Sequence, residues 1–191
     1  MSSKINNPAT GGNDASVGTI AWTNTSNIFV SDDSRASAQL IEETSNYLTA
    51  TNFLFSIPST AFIEGIAARV EKSIPASGDG VVRDFSVRLI VSGTIQGADK
   101  ADTATNWPTS DAYVRYPSVS TLDLWGISGL TPATINASNF GFAISAENIG
   151  SFSLGRQVRV DHVEITIYYI EPTARFHRSS KRIMISQRRL K

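Results

Sequence analysis

Short runs of alternating apolar and polar residues recur through the middle of the chain, separated by turn residues such as Gly, Pro, Asn and Asp. Five runs are rich in β-branched and aromatic residues, and they cover 47–58, 61–74, 81–93, 139–147 and 158–171. Because side chains alternate between the two faces of a strand, this pattern predicts strands with one buried face. We therefore expect an all-β, two-sheet antiparallel sandwich that is jelly-roll-like, with extended N- and C-terminal arms.

The pattern also predicts which face of two strands is buried. In 81–93 one face carries Val81, Phe85, Val87, Leu89 and Val91, and the other carries Asp84, Ser86 and Arg88. In 158–171 one face carries Val158, Val160, His162, Glu164, Thr166 and Tyr168, and the other carries Arg159, Asp161, Val163, Ile165, Ile167 and Tyr169. The apolar stripe of this last run therefore changes face along the strand.

Two connecting segments have their own signals. Between the second and third runs, Asp79-Gly80 is the natural position for a positive φ in a hairpin. The segment 33–43 has an aspartate cap and spacing that suits about two helical turns. It is the one stretch of the sequence that favours a helix.

Composition and charge divide the chain into three zones: a polar lead-in at 1–35, the β-sandwich body at 36–171 and a basic segment at 172–191. The lead-in is rich in Ser, Thr, Asn and Gly, which fits a loose leader or an extended arm that orders on a neighbour. A chain of 191 residues with no Cys can bury one core without disulfides. Its start has no apolar leader, so we expect a soluble protein made in a cytoplasm, without a membrane partner.

The net charge of zero is a cancellation between the body and the last segment. The whole chain has 17 basic and 17 acidic residues. Seven of the basic residues and none of the acidic ones fall in 172–191, which gives +7 there and −7 over residues 1–171. The basic residues of this C-terminal arm are Arg175, Arg178, Lys181, Arg182, Arg188, Arg189 and Lys191. Such asymmetry is typical of an interaction arm, and an acidic protein surface, including another copy of the body, is a suitable partner.

The arm also contains apolar residues that a solvated tail does not need. Ile183 and Ile185 alternate with Arg182, Met184 and Ser186, as the residues of a short strand would. The arm could therefore add a strand to a neighbour's sheet edge while its charges pair with that neighbour. A disordered solubilising end is the plain alternative. Nucleic-acid binding is less favoured, because the acidic body would repel phosphates.

Residues for catalysis or metal binding are scarce. The two histidines are His162 and His177, and the absence of Cys leaves only carboxylates as further metal ligands. Neighbouring residues of a strand point to opposite faces, so Asp161-His162 cannot act as a base and its orienting acid. The acidic stretches at 31–34 and 97–102 read as solvated turns rather than calcium loops. We expect no enzyme activity, no cofactor and no metal.

The long connection 94–138 carries four aromatic residues: Trp107, Tyr113, Tyr116 and Trp125. Aromatic rings among Asp and Asn are what a sugar-binding face uses, so these residues form a possible ligand or interface loop. The same residues could equally close one end of the sandwich as core. Connections this long also often contain short strands that a pattern search misses.

An ordered series of motifs runs through residues 22–169. It consists of "W" at 22, "SDDSRASA" at 31–38, "NFLFSIPSTAFIEGI" at 52–66, "VRDFSVRLIVSG" at 82–93, "DKADTATNWP" at 99–108, "DLWG" at 123–126, "INASNFGFAIS" at 135–145 and "VDHVEITIYY" at 160–169. In order and spacing this series resembles small β-sandwich, jelly-roll-like virion structural proteins of tailed bacteriophages and prophages, which mostly lack an assigned function. The arm lies outside the resemblance.

The resemblance implies a non-enzymatic structural component of a phage particle, located in the virion and made in the host cytoplasm. A capsid decoration or cement protein that contacts other virion proteins through its terminal arms is the leading expectation. A homo-oligomer with rotational symmetry, such as a trimer, would suit it. The alternatives are a tail, neck or fibre protein and a carbohydrate-binding host-attachment module. The resemblance also implies that Ile57-Pro58, Ile63, Gly65 and Ile66 enter and pack a core strand, that 123–126 anchors a loop, and that Tyr168-Tyr169 end the last strand.

Overall fold

The computed structural model of the protein describes residues 1–119, 122–150 and 154–172, and nearly all of its regular structure is β. The strands are β1 Ser2–Asn6, β2 Thr10–Asp14, β3 Ala36–Leu40, β4 Tyr47–Thr51, β5 Phe62–Ser73, β6 Val81–Val91, β7 Thr94–Gln96, β8 Ala112–Tyr116, β9 Gly141–Ile149 and β10 Arg156–Ile170. A 3-10 turn covers Thr25–Ile28, and the short helix α1 covers Pro132–Asn136. Within the described ranges, no helix is long and apolar enough to cross a membrane.

Two five-stranded antiparallel sheets pack face to face. The first sheet has the order β1-β10-β5-β8. Strand β3 also belongs to it: β3 pairs with the first part of β10, on the same edge on which β1 pairs with the last part. The second sheet has the order β2-β4-β9-β6-β7. If the two lead-in strands β1 and β2 are left out, the two sheets have the orders β3-β10-β5-β8 and β4-β9-β6-β7, which is the strand arrangement of a jelly roll. The predicted all-β sandwich is confirmed.

One apolar core fills the space between the sheets. Its members alternate along the strands, as in Ile66 and Val70 of β5 and Ile165 of β10, all of which are buried. Phe142 of β9 meets the Trp125 ring edge to face, with ring centroids 6.3 Å apart. Aromatic and β-branched residues at alternate positions therefore form the core, as the sequence pattern predicts.

Two β-bulges reset which face of a strand points inward. In β6 the register shifts between Asp84 and Ser86, so Asp84 points into the core and Phe85 is 41% exposed. The prediction that Phe85 is buried and Asp84 solvent-facing is therefore wrong, because a bulge inserts one extra residue into the alternation. In β10 the register shifts between Val160 and His162, and this bulge is the cause of the change of face that the sequence shows.

The lead-in 1–35 is part of the sandwich rather than a loose leader or an arm that orders on a neighbour. Strand β1 pairs with β10 in the first sheet, and β2 pairs with β4 in the second. Trp22 is buried and donates its indole N–H to the carbonyl of Asn46 at 2.9 Å. The polar composition of residues 1–35 does not indicate these strands, because short edge strands need few apolar residues.

The segment 33–43 contains strand β3, Ala36–Leu40, and no helix, so the predicted helical turn is wrong. Ala36, Ala38 and Leu40 are buried, and Ser37 and Gln39 between them are not, which is the period of a strand. Pairing with β10 over five residues satisfies the backbone there. Tertiary pairing thus outweighs the weak local helical preference.

The prediction of a hairpin between β5 and β6 is wrong, because β5 pairs within the first sheet and β6 within the second. The connection between them is a turn that crosses from one sheet to the other, with Gly78 at φ 111° and Gly80 at φ 105°. A side chain at Gly80 would also collide with the amide of Asn148. The long connection 94–138 contains β7, β8 and α1. Strand β8 escaped the sequence pattern because it is short and only its last residue, Tyr116, is fully buried.

The docking of the lead-in can be tested at Asn13 of β2. Its side chain accepts a hydrogen bond from the backbone N–H of Trp22 at 2.7 Å and donates one to the carbonyl at 2.8 Å. We expect Asn13→Ala to lower the free energy of unfolding by about 1–2 kcal/mol, since both backbone groups lose their partner. Urea unfolding measures this, with exposed Asn7→Ala as the control. Equal stability of both variants would contradict the contact between Asn13 and Trp22 that holds the lead-in in its observed conformation.

Candidate functional site

A cluster of polar side chains is buried between the two sheets. Lys72 of β5 and Tyr116 of β8 reach it from the first sheet, and Asp84 of β6 reaches it from the second. Trp107 closes it from the connection between β7 and β8. Lys72 and Tyr116 occupy inward positions that alternate with their outward neighbours, and the β6 bulge turns Asp84 inward to meet them.

The Asp84 carboxylate is the centre of this cluster, and its side chain has no exposed surface. Its Oδ1 accepts hydrogen bonds from Lys72 Nζ at 2.5 Å and from Trp107 Nε1 at 2.8 Å. Its Oδ2 accepts from the Tyr116 hydroxyl at 2.7 Å and from the backbone N–H of Asp102 at 3.1 Å. Four donors therefore satisfy a carboxylate that would otherwise be very unfavourable in the core.

The Lys72 amine is equally enclosed. Besides Asp84 it donates to the Tyr116 hydroxyl at 2.5 Å, and it lies 4.5 Å from the centroid of the Trp107 ring. Burial lowers the pKa of Lys72 despite the opposing effect of Asp84. Burial also raises the pKa of Tyr116 well above its ordinary value, so this hydroxyl keeps its proton at neutral pH. The cluster joins a buried amine, a buried carboxyl and a permanent hydroxyl donor.

The four aromatic residues of the connection 94–138 lie in different environments. Trp107, Tyr116 and Trp125 are buried, with exposures of 3%, 2% and 0%. Tyr113 alone of the four is exposed, at 39%, and Arg69 stacks on its ring at 4.4 Å. Rings that are enclosed by protein have no face left for a sugar, so these three act in the core, and Tyr113 stands alone at the surface.

Trp125 fixes the middle of this connection to the core. Its indole N–H donates to the carbonyl of Ile66 at 3.0 Å, and its own carbonyl accepts from Ala98 at 2.6 Å. The Asp123 carboxylate accepts from the Trp125 backbone N–H at 2.5 Å and pairs with Lys100 at 2.7 Å. Residues 123–126 thus anchor a loop.

Asp161 and His162 lie at the β10 bulge, and both residues are buried. His162 Nδ1 lies 2.9 Å from the Tyr113 hydroxyl, and Asp161 Oδ2 accepts from the backbone N–H of Asp33 at 3.3 Å. Loss of hydration lowers the pKa of His162 and raises that of Asp161. The two side chains bind different partners, so they do not form the histidine and carboxylate of a catalytic triad.

An apolar patch lies on the outer face of the first sheet, at the end where β10 finishes. Ile170 is directly opposite Phe62 in the register of β10 and β5, and they are 42% and 64% exposed. Tyr168 lies one outward position back along β10, and Ile5 of β1, 56% exposed, points to the same side. We call Ile5, Phe62, Tyr168 and Ile170 the outer patch. Apolar side chains that are exposed or half-buried on one face of a sheet commonly mark interaction surfaces.

The outer patch adjoins the start of the C-terminal arm, because Ile170 is two residues before Pro172. The residues predicted to bind a partner lie outside the described residues: Arg175, Arg178, Lys181, Arg182, Ile183, Ile185, Arg188, Arg189 and Lys191. His177 lies there as well. Their predicted role stays a prediction.

The acidic stretches at 31–34 and 97–102 form hydrogen-bonded turns. Asp99 Oδ1 accepts from the backbone N–H groups of Val87 and Ala101, and Asp32 accepts from that of Ser34. Among the residues that the structure covers, no group of three or more His, Asp or Glu is arranged to hold a metal ion. Comparisons of the chain with protein-family models, curated proteins and solved structures found no significant match.

The buried cluster can be tested at Asp84. We expect Asp84→Ala to lower the free energy of unfolding by about 3–5 kcal/mol, because it leaves the Lys72 ammonium in the core without its counter-charge. The Tyr116 and Trp107 donors lose their acceptor at the same time. Equilibrium denaturation in urea gives the value. The matched control is Asp79→Ala, in the partly exposed turn that connects the same two strands, for which we expect a loss of less than about 0.5 kcal/mol. Similar losses in both variants would contradict the cluster.

Proposed function

We propose that this protein is a non-enzymatic structural subunit of a tailed-phage particle, most simply a capsid decoration or cement protein. The observation that carries the proposal is the separation of charge along the chain, with +7 in residues 172–191 and −7 in residues 1–171. The basic arm follows directly from the strand that bears the outer patch. Together they offer a neighbouring protein both apolar contact and opposite charge.

The sandwich itself suits a subunit that must hold its shape while its surface binds. Both sheets are completed by the lead-in strands β1 and β2 of the same chain. The interior is tied together by the Lys72–Asp84 cluster, and the 123–126 loop is anchored on Ile66. A rigid body that binds its neighbour through one end loses little conformational entropy on assembly.

The acidic side of the proposed contact is also visible on the body. Asp32 and Asp33 are exposed in the turn before β3, where Asp33 also pairs with Arg35. Together with the charge of −7 over residues 1–171, these groups give a second copy of the body an acidic surface that an arm from its neighbour can contact. A homo-oligomer on the particle surface is the assembly that we propose.

Carbohydrate binding is the weaker alternative. It would rely on the aromatic residues of the connection 94–138, and three of those four rings are enclosed in the core. A location in the tail, neck or fibre of the particle would use the same outer patch and basic arm. It differs from the capsid location only in the virion protein that is bound.

The role of the arm can be tested by truncation after Pro172. We expect the truncated protein to keep the unfolding midpoint of the full chain, because the sandwich ends at Ile170. We also expect it to be lost from particles produced in a complementation experiment, since the +7 segment is gone. Incorporation is measured by quantitative mass spectrometry of purified particles.

A second arm variant separates charge from length. It keeps all residues of 172–191 but replaces the seven Lys and Arg with Gln. We expect incorporation to fall nearly as far as on truncation, and raised salt to release the unmodified protein from particles, because contacts between exposed charges are screened. Undiminished incorporation of both arm variants would contradict the proposal.

The outer patch supplies a second test. Ile170→Ser should reduce incorporation while leaving the unfolding midpoint nearly unchanged, because the replaced side chain is 42% exposed and lies at a strand end. The matched control is Ile41→Ser, at the opposite end of β10, where Ile41 is 46% exposed. We expect normal incorporation of the control. Equal incorporation of both variants would exclude the outer patch from the contact.

A further inference from the structure

The buried cluster places an amine against a carboxyl group between the two sheets. Lys72 Nζ is 2.5 Å from Asp84 Oδ1, and the two side chains are 4% and 0% exposed. The carboxyl carbon is bonded directly to that oxygen, so the nitrogen lies close to the atom that it would attack. Groups held at such separation react as if at very high concentration, because the entropy of bringing them together has already been lost on folding.

We propose that Lys72 and Asp84 condense without any other protein to form a side-chain amide that links the two sheets covalently. In this step a new bond joins Lys72 Nζ to Asp84 Cγ, and the bond from Cγ to Oδ2 breaks. Oδ2 leaves as water and takes up two protons that the Lys72 ammonium gives up. The ammonium and the carboxylate thus become one neutral amide plus one water molecule. No group is oxidised or reduced, and no co-reactant is needed.

Tyr116 connects the two ends of this proton transfer. Its hydroxyl accepts a hydrogen bond from Lys72 Nζ at 2.5 Å and donates its own proton to Asp84 Oδ2 at 2.7 Å. A proton can therefore pass from the amine to the hydroxyl oxygen while the hydroxyl proton moves to the leaving oxygen. A first transfer makes the attacking nitrogen neutral and converts Oδ2 into a hydroxyl group. A second transfer along the same path, after the bond from Nζ to Cγ has formed, gives Oδ2 the proton with which it leaves as water.

Trp107 holds the oxygen that stays. Its indole N–H donates to Asp84 Oδ1 at 2.8 Å, which is the oxygen that gains negative charge when Cγ becomes tetrahedral. A fixed donor at that position acts as an oxyanion hole. After the reaction the same N–H binds the carbonyl oxygen of the new amide. Each oxygen of the carboxyl group thus has its own role and its own donor.

Burial of the Lys72–Asp84 pair also favours formation of the amide. Burial lowers the pKa of Lys72, which makes the nucleophilic neutral amine more accessible. Enclosure between the sheets removes the bulk water that would otherwise solvate and separate the two charges. Replacing a buried ion pair by a neutral amide also removes the cost of keeping two charges in the core. The product then fixes β5 to β6 across the sandwich, independently of the proposed role in a particle.

The direct test is the intact mass of the purified, unfolded full-length protein. We expect the wild-type protein to be lighter than its sequence by one water molecule, and Lys72→Arg to have its full sequence mass. Digestion with trypsin locates the bond, because an amidated Lys72 is no longer cleaved. The product is a branched species that joins residues 70–83 to residues 84–88, whereas an unlinked chain gives a separate peptide of residues 73–83.

Tyr116→Phe tests the mechanism in a variant that keeps the ring in the core. We expect its rate of water loss after cell-free synthesis to fall by about 10²–10⁴-fold, because the proton relay is gone. Tyr113→Phe, outside the cluster on the same strand, should lose water at the wild-type rate. A wild-type protein with its full sequence mass and a free 73–83 peptide would overturn the proposal. Linkage at an unchanged rate in Tyr116→Phe would overturn the role of Tyr116.

Discussion

The fully buried Asp84 carboxylate is the constraint on which one end of the sandwich depends. As the chain folds, before any link to Lys72 forms, this charge must be matched by donors. The donors come from three separate parts of the chain: Lys72 on β5, Tyr116 on β8 and Trp107 in the connection between β7 and β8. Satisfying one carboxylate therefore positions two sheets and a long loop relative to one another. Purely apolar packing would bring the sheets together but would not select this single arrangement as strictly.

The sequence predicts the architecture well because strand periodicity is a strong signal. Five alternating runs correspond to β4, β5, β6, β9 and β10, and the change of face in the last run marks a real bulge. The errors have local causes. The β6 bulge moves Asp84 inward and Phe85 outward, and periodicity alone cannot place such an insertion. The strands β1, β2, β3 and β8 are short and depend on their partners, so their composition resembles loops or a helix.

Only part of the candidate site can be predicted from the sequence. Trp107 and Tyr116 stood out as aromatic residues in a long connection, but their role as donors to Asp84 needs the three-dimensional pairing of the two sheets. Lys72 is the available signal, because it lies on the face of its strand that also carries the buried Val70. Asp84 gives no such signal, because it falls on the polar face of its run until the β6 bulge turns it inward.

Outside the core, the chain combines a closed sandwich with one chemically distinct end. The outer patch and the basic arm follow one another along β10 and its continuation, and the body carries the compensating negative charge. Electron microscopy of purified phage particles containing this protein tests its proposed role most directly. A structural subunit predicts density for the two-sheet sandwich at a regular site, with residues 172–191 against an acidic neighbour. Particles without such density, or with the arm facing solvent, would contradict that role.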